Sequence, residues 1–153
     1  MIVVVGAFSD EVKSAVESVD DVTMIFNPEW KSGLASSLAT GLEAAEAMNC
    51  DGALVMTTDQ PLIDSASLTK LLDAFDGEHR IVASSYDGII GVPAVFGVEH
   101  FESLMKLKGD EGAGRWLRAR ADKVTQIRID SASIDIDTQA DVDRLQSDSP
   151  PTK

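Results

Sequence analysis

Three short polar clusters in the sequence carry side chains that could bind a metal ion or a phosphate. The first is Asp59-Gln60-Pro61, which follows the unbroken apolar run at 53–56. Such a run is typical of a strand covered on both faces, and open α/β sheets bind ligands beyond the carboxyl ends of their strands. Mg²⁺ takes one or two carboxylates and completes its shell with phosphates and water. Asp59 is therefore a candidate metal ligand, unless it only forms an Asx-turn before the proline.

The second cluster is the segment 135–138, with the sequence D-I-D-T. Alternate residues of a strand point to the same side, so a short strand here would place Asp135 and Asp137 on one face. Either carboxylate could then supply a second metal ligand. The alternative for Asp137 is helix capping, because Thr138 and Asp141 have the spacing of a capping box.

The third cluster is the segment 27–33, N-P-E-W-K-S-G, followed by Ser36 and Ser37. Gly33 would let a ligand approach the backbone closely, and the free N–H groups at the start of a helix attract phosphate or carboxylate. Trp30 either stacks on a planar ring of a ligand or anchors the loop by partial burial. This cluster is a candidate anion-binding loop.

The composition limits the classes of partner. The net charge of −13 predicts repulsion of nucleic acid and of anionic membranes. The single cysteine, Cys50, cannot form an internal disulfide, and the longest apolar runs are strand-sized. We therefore expect a soluble, cytoplasmic protein without a nucleic-acid or membrane partner.

One segment departs from this acidic character. Residues 106–128 contain seven basic side chains and only three acidic ones, which gives the segment a net charge of +4. Two interpretations stay open. The cations either form local ion pairs on a solvated helix face, or they hold a small anion.

The elements that must position these clusters alternate between strands and helices. Strands are predicted at 2–5, 22–26, 53–56, 81–83, 95–96, 124–129 and 134–136, with a hairpin turn at 87–88. Helices are predicted after caps at Ser9, Ser65 and Thr138, from Gly33, and over 99–107 and 111–121. This pattern indicates one α/β domain over 1–146, with a mostly parallel sheet covered by helices on both faces, and a disordered tail at 147–153.

Five segments occur in a characteristic order: N-P-E-W-K-S-G-L-A-S-S-L (27–38), L-V-M-T-T-D-Q-P-L-I (54–63), G-V-P-A-V-F-G (91–97), G-D-E-G-A (109–113) and I-D-I-D-T-Q-A-D (134–141). Together they resemble the MobA-like nucleotidyltransferases, nearest to the molybdenum-cofactor cytidylyltransferases. The resemblance implies a Rossmann-like nucleotidyltransferase domain. The implied substrates are a nucleoside triphosphate, CTP rather than GTP, and a molybdopterin-type phosphate that attacks its α-phosphorus, with Mg²⁺ as cofactor.

The resemblance also implies roles for individual residues. Asp59 would be the catalytic metal ligand under the triphosphate, and Asp135 or Asp137 would complete the metal site. Asn27 and Gly33 would contact the nucleotide. The implied substrate pocket is lined by Ser36, Ser37, Gln60, Pro93, Gly109, Asp110 and Gly112.

Two arginines extend the implied pocket. Arg115 and Arg118 are spaced i,i+3 in the basic segment, and we infer that they help to hold the substrate phosphate. This inference comes from their charge and position and not from the family.

The sequence also departs from the family pattern. Family members begin with a strand and a glycine-rich loop of the type L-A-A-G-x-S-x-R-M-G followed by lysine, and these 153 residues contain no such loop. Thr58 and Val92 stand where the family has glycine and histidine. We therefore expect the first strand of the sheet to be missing and the chain alone to be inactive. The alternative is a non-catalytic remnant that binds a pterin or a partner, such as a molybdoenzyme or a second copy.

Overall fold

The computed structural model of the chain describes residues 1–77, 80–136 and 138–148. Its first sheet has two strands, β1 (Ile2–Val5) and β2 (Thr23–Phe26), which run parallel and in register from Ile2 opposite Thr23. Helix α1 (Ser9–Val16) connects them. This is the crossover expected of a parallel strand pair.

The second sheet has four strands in the order β3 (Gly52–Val55), β5 (Ile89–Gly97), β4 (Ile81–Tyr86) and β6 (Thr125–Arg128). Strand β5 runs antiparallel to both β3 and β4, whereas β4 and β6 are parallel. The α/β fold class is confirmed, but the sheet is mixed rather than mostly parallel.

The mixed pairing has a local cause. Asp87 and Gly88 both have positive φ angles, 49° and 75°, and form the two-residue turn between β4 and β5. An Asp-Gly pair favours this turn, whose twist matches that of the flanking strands. The chain therefore folds back on itself here, instead of crossing over to add another parallel strand.

Five more helices follow the first: α2 (Leu34–Ala47), α3 (Ser65–Asp73), α4 (Phe101–Met105), α5 (Ala113–Arg118) and α6 (Gln139–Asp148). Helix α6 begins with the predicted capping box, because the backbone N–H and the hydroxyl of Thr138 both donate to Asp141. No helix in the described part of the chain is long and apolar enough to span a membrane. Of the predicted tail, 147 and 148 belong to α6, and 149–153 lie outside the described residues.

Two predicted helix caps and one predicted strand are wrong. Helix α3 is capped by Asp64, whose carboxylate accepts a hydrogen bond from the backbone N–H of Ser67 at 2.8 Å, and not by Ser65. Helix α1 begins after Phe8, without a side-chain cap, rather than after Ser9. Residues 134–136 form no strand and instead follow a 3-10 turn over Asp130–Ser133.

Apolar side chains cover both faces of the second sheet. Phe96 on one face of β5 packs with Leu42, Phe101, Leu104, Trp116 and Leu117. Val95 on the opposite face packs with Leu71, Val82, Ile129 and Ala132. Adjacent strand residues point to opposite faces, so one strand serves both clusters. The prediction of helices on both faces is confirmed for this sheet.

Trp116 is the largest side chain of the first cluster. Its ring makes an edge contact with Phe96, with ring centroids 5.8 Å apart, and the Arg120 guanidinium lies 4.0 Å from the centroid of the indole. An aromatic pair and a cation–π contact each add to the free energy from burial alone. Trp116 therefore fixes α5 against the sheet.

The two sheets are not hydrogen-bonded to each other in the described part of the chain. Helix α2 packs against both β1 and β3, and a side chain at Gly41 would lie 3.2 Å from Val4. Strands β1 and β3 are thus the ends of two separate sheets beneath one helix. This arrangement agrees with the expectation of a missing central strand.

Candidate metal and substrate site

The loop after β3 carries two oxygen atoms that lack a partner. Asp59 Oδ1 and Gln60 Oε1 are both buried and accept no hydrogen bond from the described residues. A buried oxygen without a donor is costly, and a cation can satisfy it. Carboxylate oxygens are ligands that hard cations such as Mg²⁺ and Mn²⁺ prefer. Asp59 therefore fits a divalent metal.

The segment 132–136 lies directly against this loop. The backbone N–H of Ile136 donates to the carbonyl oxygen of Asp59 at 2.7 Å, and the side-chain Nε2 of Gln60 donates to the carbonyl oxygen of Ala132 at 2.8 Å. Asp135 is the residue before Ile136, so the fold brings the candidate ligands Asp59 and Asp135 into one region.

The other candidate ligand, Asp137, lies outside the described residues. Within 1–77, 80–136 and 138–148, no group of three or more histidine, cysteine or acidic side chains is arranged to hold a metal. The described donor set is therefore small. A small set suits Mg²⁺, which keeps waters and takes substrate phosphates as further ligands.

Tyr86, at the end of β4, is a site residue that sequence reasoning missed. Burial raises the pKa of its hydroxyl, and the negative charges of Asp135 and, more weakly, Asp59 raise this pKa further. Contact with Gln60 and the positive charge of Arg118 lower it. The Tyr86 hydroxyl therefore lies near enough to these four groups for them to affect its pKa. The only sequence signal was the position of Tyr86 before the Asp-Gly turn.

Asn27 organises the loop that follows β2. Its side chain is 1% exposed, and its amide Nδ2 donates to Ser36 Oγ at 2.8 Å and Ser37 Oγ at 3.0 Å. Its Oδ1 accepts from the backbone N–H of Glu29 at 2.9 Å. Both amide protons are therefore used within the loop. The predicted nucleotide contact of Asn27 stays a prediction, and this conformation directs the Asn27 amide inward.

Gly33 joins this loop to the predicted substrate loop. Its φ angle is 109°, and a Cβ at this position would overlap the carbonyl group of Gly109. The Gly109 carbonyl accepts a hydrogen bond from the backbone N–H of Ala35 at 3.0 Å, and the N–H of Ser36 bonds to Gly33. Two N–H groups at the start of α2 are thus already bonded. The prediction that they are open to phosphate is wrong for these two groups.

Four of the nine predicted pocket residues line one cavity, whereas Ser36, Ser37 and Gly109 are not part of its lining. An open cavity of about 480 Å³ lies beside the 109–112 loop. Its lining includes Asp110, Gly112 and the two arginines of the basic segment, Arg115 and Arg118, together with Glu111 and Gly114. Arg118 lines this cavity, and its positive charge also lowers the pKa of the Tyr86 hydroxyl.

Three of the seven cations in the basic segment follow the local ion-pair interpretation. Lys106 pairs with Glu102, Arg115 with Glu111, and Arg128 with Asp130. These pairs are exposed, so each contributes little to stability. Arg115 therefore lines the cavity with part of its charge neutralised by Glu111.

Pro93 and Gln60 do not lie in the cavity. The Pro93 side chain is fully buried in the sheet, and its carbonyl oxygen accepts a hydrogen bond from Ser84 Oγ at 2.7 Å. The predicted contact between the Pro93 ring and a substrate is therefore wrong, because the ring is not accessible in this structure. Gln60 is 5% exposed and bonded to Ala132, and it is not part of the cavity lining.

Residues 1–124 match the family model described as the MobA-like NTP transferase domain. A curated relative, the purine catabolism protein PucB of Bacillus subtilis (strain 168), is 29% identical over 119 residues, covering 76% of this chain and 57% of PucB. The chain thus spans less than two thirds of the length of this relative.

Solved structures share the fold. Rv0371c from Mycobacterium tuberculosis H37Rv has a TM-score of 0.74 at 25% identity, over 97% of this chain and 76% of its own. The complex of Rv0371C with manganese has a TM-score of 0.68 at 23% identity, over 95% and 77%. A nucleotidyl transferase from Methanothermobacter thermautotroptrophicus gives 0.75 at 23% identity, over 95% and 71%. With the family match covering most of its length, the chain belongs to the MobA-like NTP transferase domain family.

Proposed function

We propose that this chain carries the metal- and substrate-binding part of a nucleotidyltransferase site. The reaction transfers a nucleoside monophosphate, CMP rather than GMP, from a nucleoside triphosphate to a molybdopterin-type phosphate. The observation that carries the proposal is the buried, unpartnered Asp59 Oδ1, which lies beside the Asp135 segment. The choice of CTP and of a pterin-type substrate rests on the resemblance of the five sequence segments.

Asp59 and Asp135 would hold the divalent cation, with Asp137 as a further candidate. The cation would neutralise negative charge on the phosphate oxygens during transfer. A manganese complex of Rv0371C, a protein of the same fold, supports a site for this class of ion. We propose Mg²⁺ as the natural cofactor and Mn²⁺ as its experimental substitute.

The remaining chemistry needs positioning more than covalent help from the protein. An oxygen of the substrate phosphate forms a bond to the α-phosphorus, while the bond from the α-phosphorus to the bridging oxygen breaks and pyrophosphate leaves. Arg118, with Arg115 beside it, would hold the incoming phosphate in the cavity. Fixed positive charge and correct orientation are the main sources of catalysis in such reactions.

The glycine-rich loop that wraps the triphosphate in the family is not among these 153 residues. We therefore propose that the chain alone binds metal and substrate but does not transfer nucleotide. The alternative is a non-catalytic domain that binds a pterin or a protein partner, such as a molybdoenzyme or a second copy. Because Cys50 is the only cysteine, we propose a reducing, cytoplasmic setting for either role.

Titration with Mn²⁺, followed by the paramagnetic resonance signal of the free ion, tests the proposed site. We expect the wild-type chain to bind one ion and Asp59→Asn to weaken binding by at least about tenfold, since even outer-shell changes cost that much. The matched control is Asp51→Asn, an exposed carboxylate before the opposite end of β3. Equal binding by wild type and Asp59→Asn would contradict the metal site.

Pyrophosphate release tests the second part of the proposal. The isolated chain with Mg²⁺, CTP and a molybdopterin-type substrate should release no pyrophosphate above the level without protein. Sustained, Mg²⁺-dependent release that Asp59→Asn abolishes would show that the chain is a complete enzyme. It would also exclude the non-catalytic alternative.

A further inference from the structure

Two segments carry the candidate metal ligands, and they are far apart in the sequence. We name them the carboxylate segments: 59–60 after β3, and 132–136 after β6. Two hydrogen bonds join them, from the backbone N–H of Ile136 to Asp59 and from the side chain of Gln60 to Ala132. The first bond ends on Asp59 itself, and the second starts from the residue after it. These two bonds therefore hold the two segments against each other.

The Gln60 bond is the better protected of the two. Gln60 is 5% exposed and Ala132 is fully buried, in the cluster that also contains Val95 and Ile129. Water cannot compete for a hydrogen bond in such a place, and a buried carbonyl that loses its donor is left unsatisfied. The Gln60 bond should thus open less often than an exposed bond.

The Tyr86 hydroxyl approaches Gln60 from β4. The two side chains are close enough for Gln60 to affect the Tyr86 hydroxyl, although Gln60 Oε1 has no partner with regular hydrogen-bond geometry. Space for the hydroxyl exists because residue 91 is glycine: a Cβ there would lie 2.5 Å from the Tyr86 oxygen. The absence of a side chain at Gly91 therefore leaves room for the Tyr86 hydroxyl.

Resting on the proposed function, we propose that Gln60 is a positioning residue that fixes the spacing of the Asp59 and Asp135 carboxylates through its bond to Ala132. The Tyr86 hydroxyl helps to hold the Gln60 side chain in place. This role differs from the substrate contact that the family resemblance implies for Gln60. It makes the metal affinity of the site depend on a side chain that does not touch the metal.

The test uses the full chain with three substitutions. Gln60→Met keeps the length of the side chain but removes both its donor and its acceptor. Tyr86→Phe removes only the hydroxyl. The matched control is Ser84→Ala, which deletes another buried side-chain bond to a backbone carbonyl in the same sheet, that to Pro93, and neither Ser84 nor Pro93 belongs to a carboxylate segment.

We expect Gln60→Met to weaken Mn²⁺ binding by about tenfold, the usual effect of removing a group that orients a metal ligand. Tyr86→Phe should weaken it several-fold, and Ser84→Ala should leave it unchanged. Hydrogen exchange gives a readout that needs no metal: Gln60→Met should speed exchange of the Ile136 amide, and Ser84→Ala should not.

Three results separate the possible failures. Unchanged Mn²⁺ affinity and unchanged Ile136 exchange in Gln60→Met would overturn the inference, as would an equal loss in Ser84→Ala. If Gln60→Met does not fold, unchanged Mn²⁺ affinity in Tyr86→Phe overturns it. If the wild-type chain binds no Mn²⁺, the proposed function fails, and slower or unchanged Ile136 exchange in Gln60→Met then also rejects the spacing role.

Discussion

The two sheets of this protein are buried to very different degrees. In the two-stranded sheet only Val5 is buried, and α1, which connects its strands, buries no residue. In the four-stranded sheet seven of the nine residues of β5 are buried, and Phe96 and Val82 are fully enclosed. The hydrophobic effect scales with apolar area removed from water, so the four-stranded sheet holds most of the stability.

The proposed site draws on both sheets. The candidate metal ligand Asp59 follows β3 of the four-stranded sheet, whereas the loop organised by Asn27 follows β2 of the two-stranded sheet. Regions with few buried apolar contacts open at a lower free energy than the core. The comparison therefore predicts that the loop carrying Asp59 opens at a higher free energy than the loop organised by Asn27.

The largest expected effect comes from truncating one phenylalanine in each sheet. Phe96→Ala should lower the free energy of unfolding by about 3–5 kcal/mol, because it leaves a cavity in a closed core. Phe26→Ala, at a side chain that is 56% exposed, should change it by about 0.5 kcal/mol or less. Urea unfolding of both variants measures the difference. Losses of similar size would break the comparison between the two sheets.

A smaller effect is expected where the two regions meet. Gly33→Ala should cost about 3 kcal/mol of stability, because the residue has a φ of 109° and its new Cβ would overlap the Gly109 backbone. Gly88→Ala is the matched control, since its φ is 75° but nothing lies within 4 Å of a Cβ. It should cost about 1 kcal/mol. Thermal unfolding that ranks Gly88→Ala as the more harmful change would contradict the contact between the loops.

The smallest expected effect concerns helix starts. Hydrogen bonds from Ser67, and then the charge of Lys70, hold the pKa of Asp64 below its usual value. A carboxylate with a lowered pKa in the folded state stabilises the protein above the unfolded pKa of about 4. This stabilisation is lost as the pH falls through the lower, folded pKa.

The variant Asp64→Asn can still cap α3 but cannot ionise. Wild type should therefore be the more stable of the two at neutral pH, and the difference should disappear on acidification below about pH 4. Urea midpoints across this range measure it. Helix α1 has no side-chain cap, so no equivalent substitution exists for the helix that connects the two-stranded sheet. A difference that stays constant with pH would contradict the role of the Asp64 charge.

Local signals in the sequence predicted much of this fold. The β-branched run at 2–5, the turn at Asp87-Gly88 and the capping box of Thr138 and Asp141 each depend on neighbours a few residues away. The structure has all three. The cap of α3 was misplaced by one residue, because Asp64 and Ser65 are both good capping residues and only the geometry separates them.

Long-range contacts explain what the sequence did not reveal. The Asp87-Gly88 turn accounts for the antiparallel pairing of β5 with β4, but the pairing of β5 with β3 depends on long-range contacts that no local pattern records. The site candidates Asp59, Asp135 and Arg118 were predicted one by one, and their grouping follows from the fold. Tyr86 was missed because nothing in its own segment distinguishes it from a core tyrosine at the end of a strand.

The chain has two tryptophans, and each belongs to a different region. Trp30 lies over Gly6 at the end of β1 and is 38% exposed, whereas Trp116 is 5% exposed inside the larger core. Their fluorescence should therefore be separable, because acrylamide in solution reaches the first indole and not the second. The protein thus contains one fluorescent reporter for each region. A quenching titration can follow the exposure of Trp30, in the loop organised by Asn27, while the core around Trp116 remains folded.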